Sequence, residues 1–234
     1  MEGVYAVVAA AGSGRRLGSE TPKQYLPLAG KPLVVHSLAV LNAHQRVGGI
    51  VLVVGSGWEE NGYKLARQYE ITKLMSVVTG GLERQESVYR GLLAIPPEGE
   101  IVLIHDAARP FLTSDLISRM ISAACRTGAA VPTVAVKDTI KVAGPGGLVN
   151  ETLARNQLVA VQTPQSFKRE IIIKAHEKAA TEGFVGTDDA MLVERMGLPV
   201  ELVPGDDKNI KITTPLDLKW ARLLLTEINS SLQY

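Results

Sequence analysis

A single cysteine, Cys125, stands among the 234 residues, which excludes an internal disulfide and fits a reducing compartment. It falls in the apolar stretch "LISRMISAACRTG", where a small buried helix residue is expected rather than a nucleophile. Charge of one sign is also missing: 25 Lys and Arg stand against 24 Asp and Glu, a net charge of +1. Bulk charge therefore draws no nucleic acid, and any anion must be held by local placement. No apolar run approaches the ~20 residues that span a bilayer. The opening "MEGVYAVVAAAG" superficially resembles a secretion signal, but it carries Glu2, lacks a basic start and runs directly into a glycine-rich turn. A cytoplasmic protein with no nucleic-acid and no membrane partner is expected.

What the chain does have is a 46% hydrophobic content, enough for one large domain with a substantial core. Short β-branched runs at Val4–Ala10, Ile50–Gly55, Met75–Thr79, Ile101–His105, Ala130–Val136, Leu158–Gln162 and Val200–Val203 read as strands. Between most of them lie helical patterns at Pro32–Ala43, Trp58–Tyr69, Glu83–Ile95, Ser114–Arg126, Lys168–Thr181, Thr187–Met196 and Pro215–Asn229. The alternation predicts an α/β fold, a mainly parallel twisted sheet flanked by helices. In such sheets ligands sit beyond the carboxyl ends of the strands.

Residues 137–161 break the rhythm. Two polar-apolar runs around Gly144-Pro145-Gly146-Gly147 read as a β-hairpin arm leaving an α/β domain made of residues 1–136 and 162–234. A polar arm buries little alone, so a second copy packing on it, as a homodimer, is expected. A plain surface excursion is the other reading.

The turn after the first strand, "AAAGSGRRLGSETPK", holds Gly12, Gly14 and Gly18. The third glycine comes one position late for a dinucleotide fingerprint, and Gly18 is followed by Ser19 and Glu20 rather than the Lys and Ser/Thr of a Walker loop. What remains is a loop of small residues with Arg15, Arg16 and Lys23. Backbone N–H groups of small residues approach oxyanions closely, and Arg and Lys grip phosphate. The turn either holds a triphosphate or is a glycine turn with solvated cations. In "HDAARP" Asp106 ends a strand, where it could share a Mg²⁺ with phosphate oxygens, and Arg109 could reach an anionic substrate. "GGLERQES" exposes backbone at Gly80 and Gly81 and sets Arg84 and Ser87 one turn apart. "NIKITTP" reads as an alternating strand with Asn209, Lys211 and Thr213 on one face, followed by Thr214, Pro215 and Asp217 opening a helix.

In the order "AAAGSGRR…PKQYL", "GGLERQES", "HDAARP", "KDTIK", "LARNQL…QTPQSF", "TDDA" and "NIKITTPLDL", the chain resembles the 2-C-methyl-D-erythritol 4-phosphate cytidylyltransferases from Val4 to Leu218. The resemblance implies a Rossmann-like nucleotidyltransferase fold and transfer of a cytidylyl group from CTP to a polyol phosphate with release of pyrophosphate. By it, Ala10, Ala11, Gly12 and Gly81 present backbone to cytosine or triphosphate, and Ser87 reaches the base. Arg16 and Lys23 form the basic pair on the phosphates, Lys211 is a third cation, and Asp106 is the acid associated with Mg²⁺. Arg109, Thr163, Thr187 and Lys211 correspond to substrate-side residues, and Thr139 and Arg155 to residues lent by the arm to a partner's site. Leu82 departs from the pattern, since relatives often carry Asp there.

A phosphate monoester is largely dianionic at neutral pH and can attack phosphorus without a base, which matches the absence of a His, Cys or Ser nucleophile arrangement. Two other readings compete. A ribitol 5-phosphate cytidylyltransferase would share the nucleotide half, although Ala108 leans towards methylerythritol. A catalytically silent nucleotide binder would have lost some of Arg16, Lys23, Asp106 or Lys211, and all four are present. Because the chain ends soon after its last helical pattern, a transferase without a fused second enzyme is expected.

Overall fold

The computed structural model describes residues 3–12 and 21–231; Gly14, Arg15, Arg16 and Gly18 of the glycine-rich turn lie outside them. In chain order the elements are β1 (Gly3–Ala10), β2 (Pro27–Leu28), β3 (Lys31–Pro32), α1 (Leu33–Ala43), β4 (Val47–Val54), α2 (Glu59–Gln68), β5 (Leu74–Thr79), α3 (Arg84–Leu93) and β6 (Gly99–Asp106). They continue with α4 (Ser114–Thr127), β7 (Ala129–Ala135), β8 (Lys141–Ala143), β9 (Val149–Thr152), β10 (Val159–Val161), β11 (Gln165–Lys168), α5 (Arg169–Thr181), α6 (Asp189–Glu194), β12 (Glu201–Pro204) and α7 (Pro215–Ser231). Among the described residues no helix is long and apolar enough to cross a membrane.

β5, β4, β1 and β6 pair in parallel. β11 lies antiparallel between β6 and β7, and β10 continues along the same edge of β7. β12 pairs in parallel with β7 on its other edge. The sheet is therefore mainly parallel, as the alternation predicts, with one antiparallel insertion that it does not. "QSFK" escapes a pattern search because its buried polar residues are satisfied inside: Ser166 Oγ donates to Met120 O at 2.7 Å, and Gln165 accepts from the start of α6.

Apolar residues alternate across β1, β4 and β6, so both faces of the sheet are buried. One face packs against α1, α2 and α4, the other against α3, α5 and α6. Helix α7 forms a smaller cluster with Leu28, Leu33, Phe111 and Ile212. Its start is a capping box: Asp217 Oδ2 accepts from the backbone N–H groups of Thr213 and Thr214 at 2.7 and 2.8 Å, and Asp217 N–H donates to Thr214 Oγ1 at 3.2 Å.

One expectation is corrected. "NIKITTP" forms no strand: residues 209–213 carry no sheet pairing and are tied instead by Ile212 N–H to Ala108 O at 2.8 Å. Asn209 is fully buried rather than sharing Lys211's exposed side. Of residues 137–161, only the centre forms an excursion, the β8–β9 hairpin; Val159–Val161 returns to the main sheet as β10, where its backbone pairs with β7.

Gly91 sets how closely α3 approaches the sheet. A Cβ there would lie 2.6 Å from Val7 Cγ1 and 2.7 Å from Val53 Cγ2, and β-branched side chains in a packed core yield little. Gly91→Ala gains about 1 kcal/mol of helix propensity but forces α3 outward, and overpacking costs about 1–3 kcal/mol. The expected outcome is a net loss of stability in chemical unfolding, together with weakened nucleotide binding because α3 carries Arg84 and Ser87. A gain in stability would show that the contact relaxes freely.

Candidate active site

β1 is central, with β4 on one side and β6 on the other, and connections that diverge from a central strand open a crevice at the carboxyl ends. Here the chain has a cavity of about 440 Å³. Its lining includes Ala10 at the end of β1, Ala11 and Gly12 after it, Gly81 after β5, Arg84 and Ser87 of α3, Asp106 at the end of β6, Lys23 and Lys211. Residues spread from position 10 to position 211 thus meet in one hollow.

Backbone in this hollow is fixed by side chains. Gln24 Nε2 donates to Ala10 O at 2.5 Å and to Gly12 O at 3.1 Å, holding the chain as it leaves β1. Ser87 Oγ accepts from Gly81 N–H at 3.0 Å and lies 3.0 Å from Glu83 O as a donor. Gly80 must stay small, because a Cβ would lie 2.5 Å from Ala11 Cβ. The two small-residue turns therefore touch, and Ala10, Ala11, Gly12 and Gly81 line the hollow between them.

Electrostatics centre on Asp106. Its carboxylate is met by Lys211 Nζ at 2.7 Å, Arg84 Nε at 3.3 Å and Arg109 Nε at 4.0 Å. Burial alone would raise its pKa; Arg84, Lys211 and Arg109 outweigh that and hold it well below the usual carboxylate range. Burial likewise opposes the Arg84 charge, and Asp189 and Asp106 more than restore it. Lys23 Nζ donates to Ile212 O at 3.1 Å, which ties the first loop to the Lys211 segment. Among the lining residues Lys23, Arg84 and Lys211 outnumber Glu83 and Asp106, so the hollow favours anions.

Arg109 is buried, and one Nη1–H donates to Asn209 O at 2.7 Å. Thr163 is also buried, next to a cis bond to Pro164. Its hydroxyl accepts from Asp106 N–H at 3.1 Å and pairs with His105 Nδ1 at 3.1 Å, so it braces the strand end that carries Asp106. Thr187, Thr139 and Arg155 are exposed and do not line the cavity; Arg155 donates to Lys137 O at 2.8 Å. Arg16 lies outside the described residues. Sequence reasoning missed Gln24 and the bracing role of His105, which stand in no periodic or spaced pattern, and set Asn209 on a shared face with Lys211 rather than in the buried frame behind the hollow.

Burial pushes the His105 imidazole from 6.5 down to about 4. Its Nε2 faces Arg109 O at 3.1 Å, an acceptor, which selects the neutral Nε2–H form with Nδ1 accepting from Thr163. The unfolded chain takes up this proton near pH 6.5 and the folded protein only near 4, so stability is full above that range and falls as pH drops through it, by up to about 1.4 kcal/mol per unit. His44, lowered by burial with Arg46 and Lys73, acts in the same direction. Urea midpoints are expected to fall between about pH 7 and about pH 4.5, and less steeply in His105→Gln; equal slopes in both proteins would contradict a neutral buried His105.

Comparison with known proteins bears on this arrangement as a whole. A family model described as 2-C-methyl-D-erythritol 4-phosphate cytidylyltransferase matches residues 4–227. The protein of that name from Pelotomaculum thermopropionicum is 49% identical over 227 residues, 96% of this chain and 95% of the relative. The one from Geobacillus thermodenitrificans is 48% identical over 220 residues, 94% of this chain and 96% of the relative. A crystal structure of 2-C-methyl-D-erythritol 4-phosphate cytidylyltransferase from Thermus thermophilus superimposes with a TM-score of 0.79 at 34% identity, covering 94% of this chain and 98% of that one. The 4-diphosphocytidyl-2C-methyl-D-erythritol synthase of Anaerococcus prevotii reaches a TM-score of 0.86 at 30% identity, covering 96% of both chains. Agreement in sequence and in fold over nearly the full length shows that the chain belongs to the 2-C-methyl-D-erythritol 4-phosphate cytidylyltransferase family.

Proposed function

We propose that this chain transfers the cytidylyl group of CTP to 2-C-methyl-D-erythritol 4-phosphate, giving the CDP-alcohol and pyrophosphate for isoprenoid precursor synthesis. The observation that carries the reading is the cation-rich hollow around Asp106 at the carboxyl ends of β1 and β6. Family membership supplies the two substrates.

A phosphate oxygen of the monoester attacks the α-phosphorus of CTP in line. The new O–P bond forms as the bond to the β-phosphate oxygen breaks, and pyrophosphate departs with that electron pair. No proton need be removed from a dianionic nucleophile, in keeping with a hollow that has no histidine in its lining among the described residues. The difficulty is the meeting of two anions, and fixed cations address it by positioning and charge stabilisation. In this reading Arg16, Lys23 and Lys211 hold the phosphates, the backbone of Ala10, Ala11, Gly12 and Gly81 together with Ser87 holds the nucleotide, and Arg84 lies against the phosphates. Arg109, Thr163 and Thr187 belong to the sugar-phosphate side, where Arg109 and Thr163 act from their buried positions.

Mg²⁺ fits the donor set through Asp106. An ionised carboxylate edging a polar cavity suits an ion whose other ligands are phosphate oxygens and water, and among the described residues no cluster of three or more His, Cys, Asp or Glu side chains offers an all-protein cage. When bound, such an ion neutralises triphosphate charge.

The arm completes the reading. Among the described residues strands β8 and β9 pair only with each other, and Leu148 and Val149 of this hairpin are 73% and 61% exposed. Apolar side chains on a projecting hairpin favour a second copy as cover, forming a cytoplasmic homodimer through residues 137–161 in which Thr139 and Arg155 reach the partner's site.

Pyrophosphate release with CTP and Mg²⁺ is expected with methylerythritol phosphate and not with ribitol 5-phosphate; the reverse selectivity would keep the chemistry and overturn the substrate. Lys23→Ala and Lys211→Ala are each expected to lower kcat by about 10²-fold or more with an unchanged circular dichroism spectrum. Near-normal turnover of a folded Lys23→Ala protein would remove that lysine from the mechanism. Heterodimers of Arg155→Ala and Arg109→Ala chains are expected to regain activity that neither homodimer has, and an inactive heterodimer would argue against a shared site.

A further inference from the structure

Behind Arg84, on the side away from the hollow, lies a buried acid that the proposed reaction does not use. Asp189, the first residue of α6, has a side chain only 1% exposed and places Oδ2 2.8 Å from Arg84 Nη1. Its Oδ1 lies 3.5 Å from Nε2 of His176, whose side chain is also 1% exposed. The His176 ring stacks on Tyr89 at 5.6 Å between centroids, so α5 reaches the helix that carries Arg84. The start of α6 is itself pinned, because Asp189 N–H and Ala190 N–H both donate to Gln165 Oε1 on β11, at 3.2 and 3.1 Å. Neither Asp189 nor His176 lines the cavity.

Arg84 is thus gripped by two carboxylates, Asp106 at Nε and Asp189 at Nη1. The two differ in kind. Asp106 edges the cavity and is shared with Lys211 and Arg109, so an incoming triphosphate competes for the same cations. Asp189 is sealed from the hollow and keeps its hold whatever enters. A guanidinium has five N–H donors in a rigid plane; a hydrogen bond at Nε and a close ion pair at Nη1 hold its position and leave donors over for an anion in the cavity that Arg84 lines.

We propose that Asp189, backed by His176, is a positioning residue that aims the Arg84 guanidinium at the phosphates of the bound nucleoside triphosphate. This rests on the cytidylyl-transfer reading above. An arginine tethered to Asp106 alone would be drawn off as the triphosphate reorganises the charges around it; the second anchor keeps its direction constant through the reaction.

The test is a double-mutant cycle on the full chain with steady-state kinetics for both substrates. Asp189→Asn keeps shape and removes the charge; it is expected to raise KM for CTP roughly tenfold while leaving KM for the sugar phosphate within about twofold. In an Arg84→Ala background the same substitution is expected to change KM for CTP less than about twofold. Loss of kcat alone, or an equal rise in KM with and without Arg84, would reduce Asp189 to a packing role and overturn the proposal. Should Asp189→Asn fail to fold, His176→Phe keeps a ring against Tyr89 and removes only the backing contact. It is expected to raise KM for CTP by about threefold, again only when Arg84 is present, and an unchanged KM would overturn the proposal equally. Wild-type protein that releases no pyrophosphate from CTP would instead refute the transfer reading, and calorimetric titration with CTP would then read the same cycle as binding.

Discussion

One buried carboxylate organises the site. A charge at the end of a central strand is costly to bury unless opposite charges surround it, and Asp106 is met from three directions: by Arg84 from α3, by Arg109 from the turn that follows β6, and by Lys211 from the segment before α7. Each cation is held by its attraction to Asp106, yet together they exceed its single charge. A chain with a net charge of only +1 thereby concentrates positive potential in one hollow.

Around this charged centre stands a frame of neutral hydrogen bonds. His105 and Thr163 brace the strand end, Asn209 links Thr163 O to Arg109 through its side chain and its own carbonyl, and Gln24 fixes the exit of β1. Tyr25, next to Gln24, stacks on Trp58 at 4.3 Å, and burial pushes its hydroxyl up to about 12. These groups make the hollow rigid from behind while its mouth stays polar, an arrangement suited to holding a charge distribution in place.

Much of this was legible in the residues themselves. Asp106 and Arg109 follow a strongly apolar strand, and Gly80, Gly81, Arg84 and Ser87 stand where a strand gives way to a helix, so the rule about carboxyl ends found them. Other residues carry no local sign. Gln24 acts on carbonyls 12 and 14 positions back, Asn209 on one 46 positions back, and Asp189 on a guanidinium in another layer; their purpose exists only in three dimensions. β11 hid because Gln165 and Ser166 look like loop residues until the groups they satisfy are in view. "NIKITTP" misled in the opposite sense: its alternation is real, but alternation makes a strand only where a neighbouring edge offers hydrogen bonds. Thr139 and Arg155 could be singled out by resemblance alone, for nothing near them within the chain marks them as functional.

The sheet has a further consequence for how the protein comes into being on the ribosome. β1, β4, β5 and β6 all lie before residue 107 and, among the described residues, pair only among themselves and with β11, so a four-stranded parallel half can assemble while the remainder is still being synthesised. That half already contains Asp106 and Arg84 but lacks Thr163, Asn209 and Lys211. A nascent chain therefore carries its central acid only partly neutralised, with the β6 edge uncovered until β11 arrives. The hollow is complete only once the last part of the polypeptide, with Lys211, is in place.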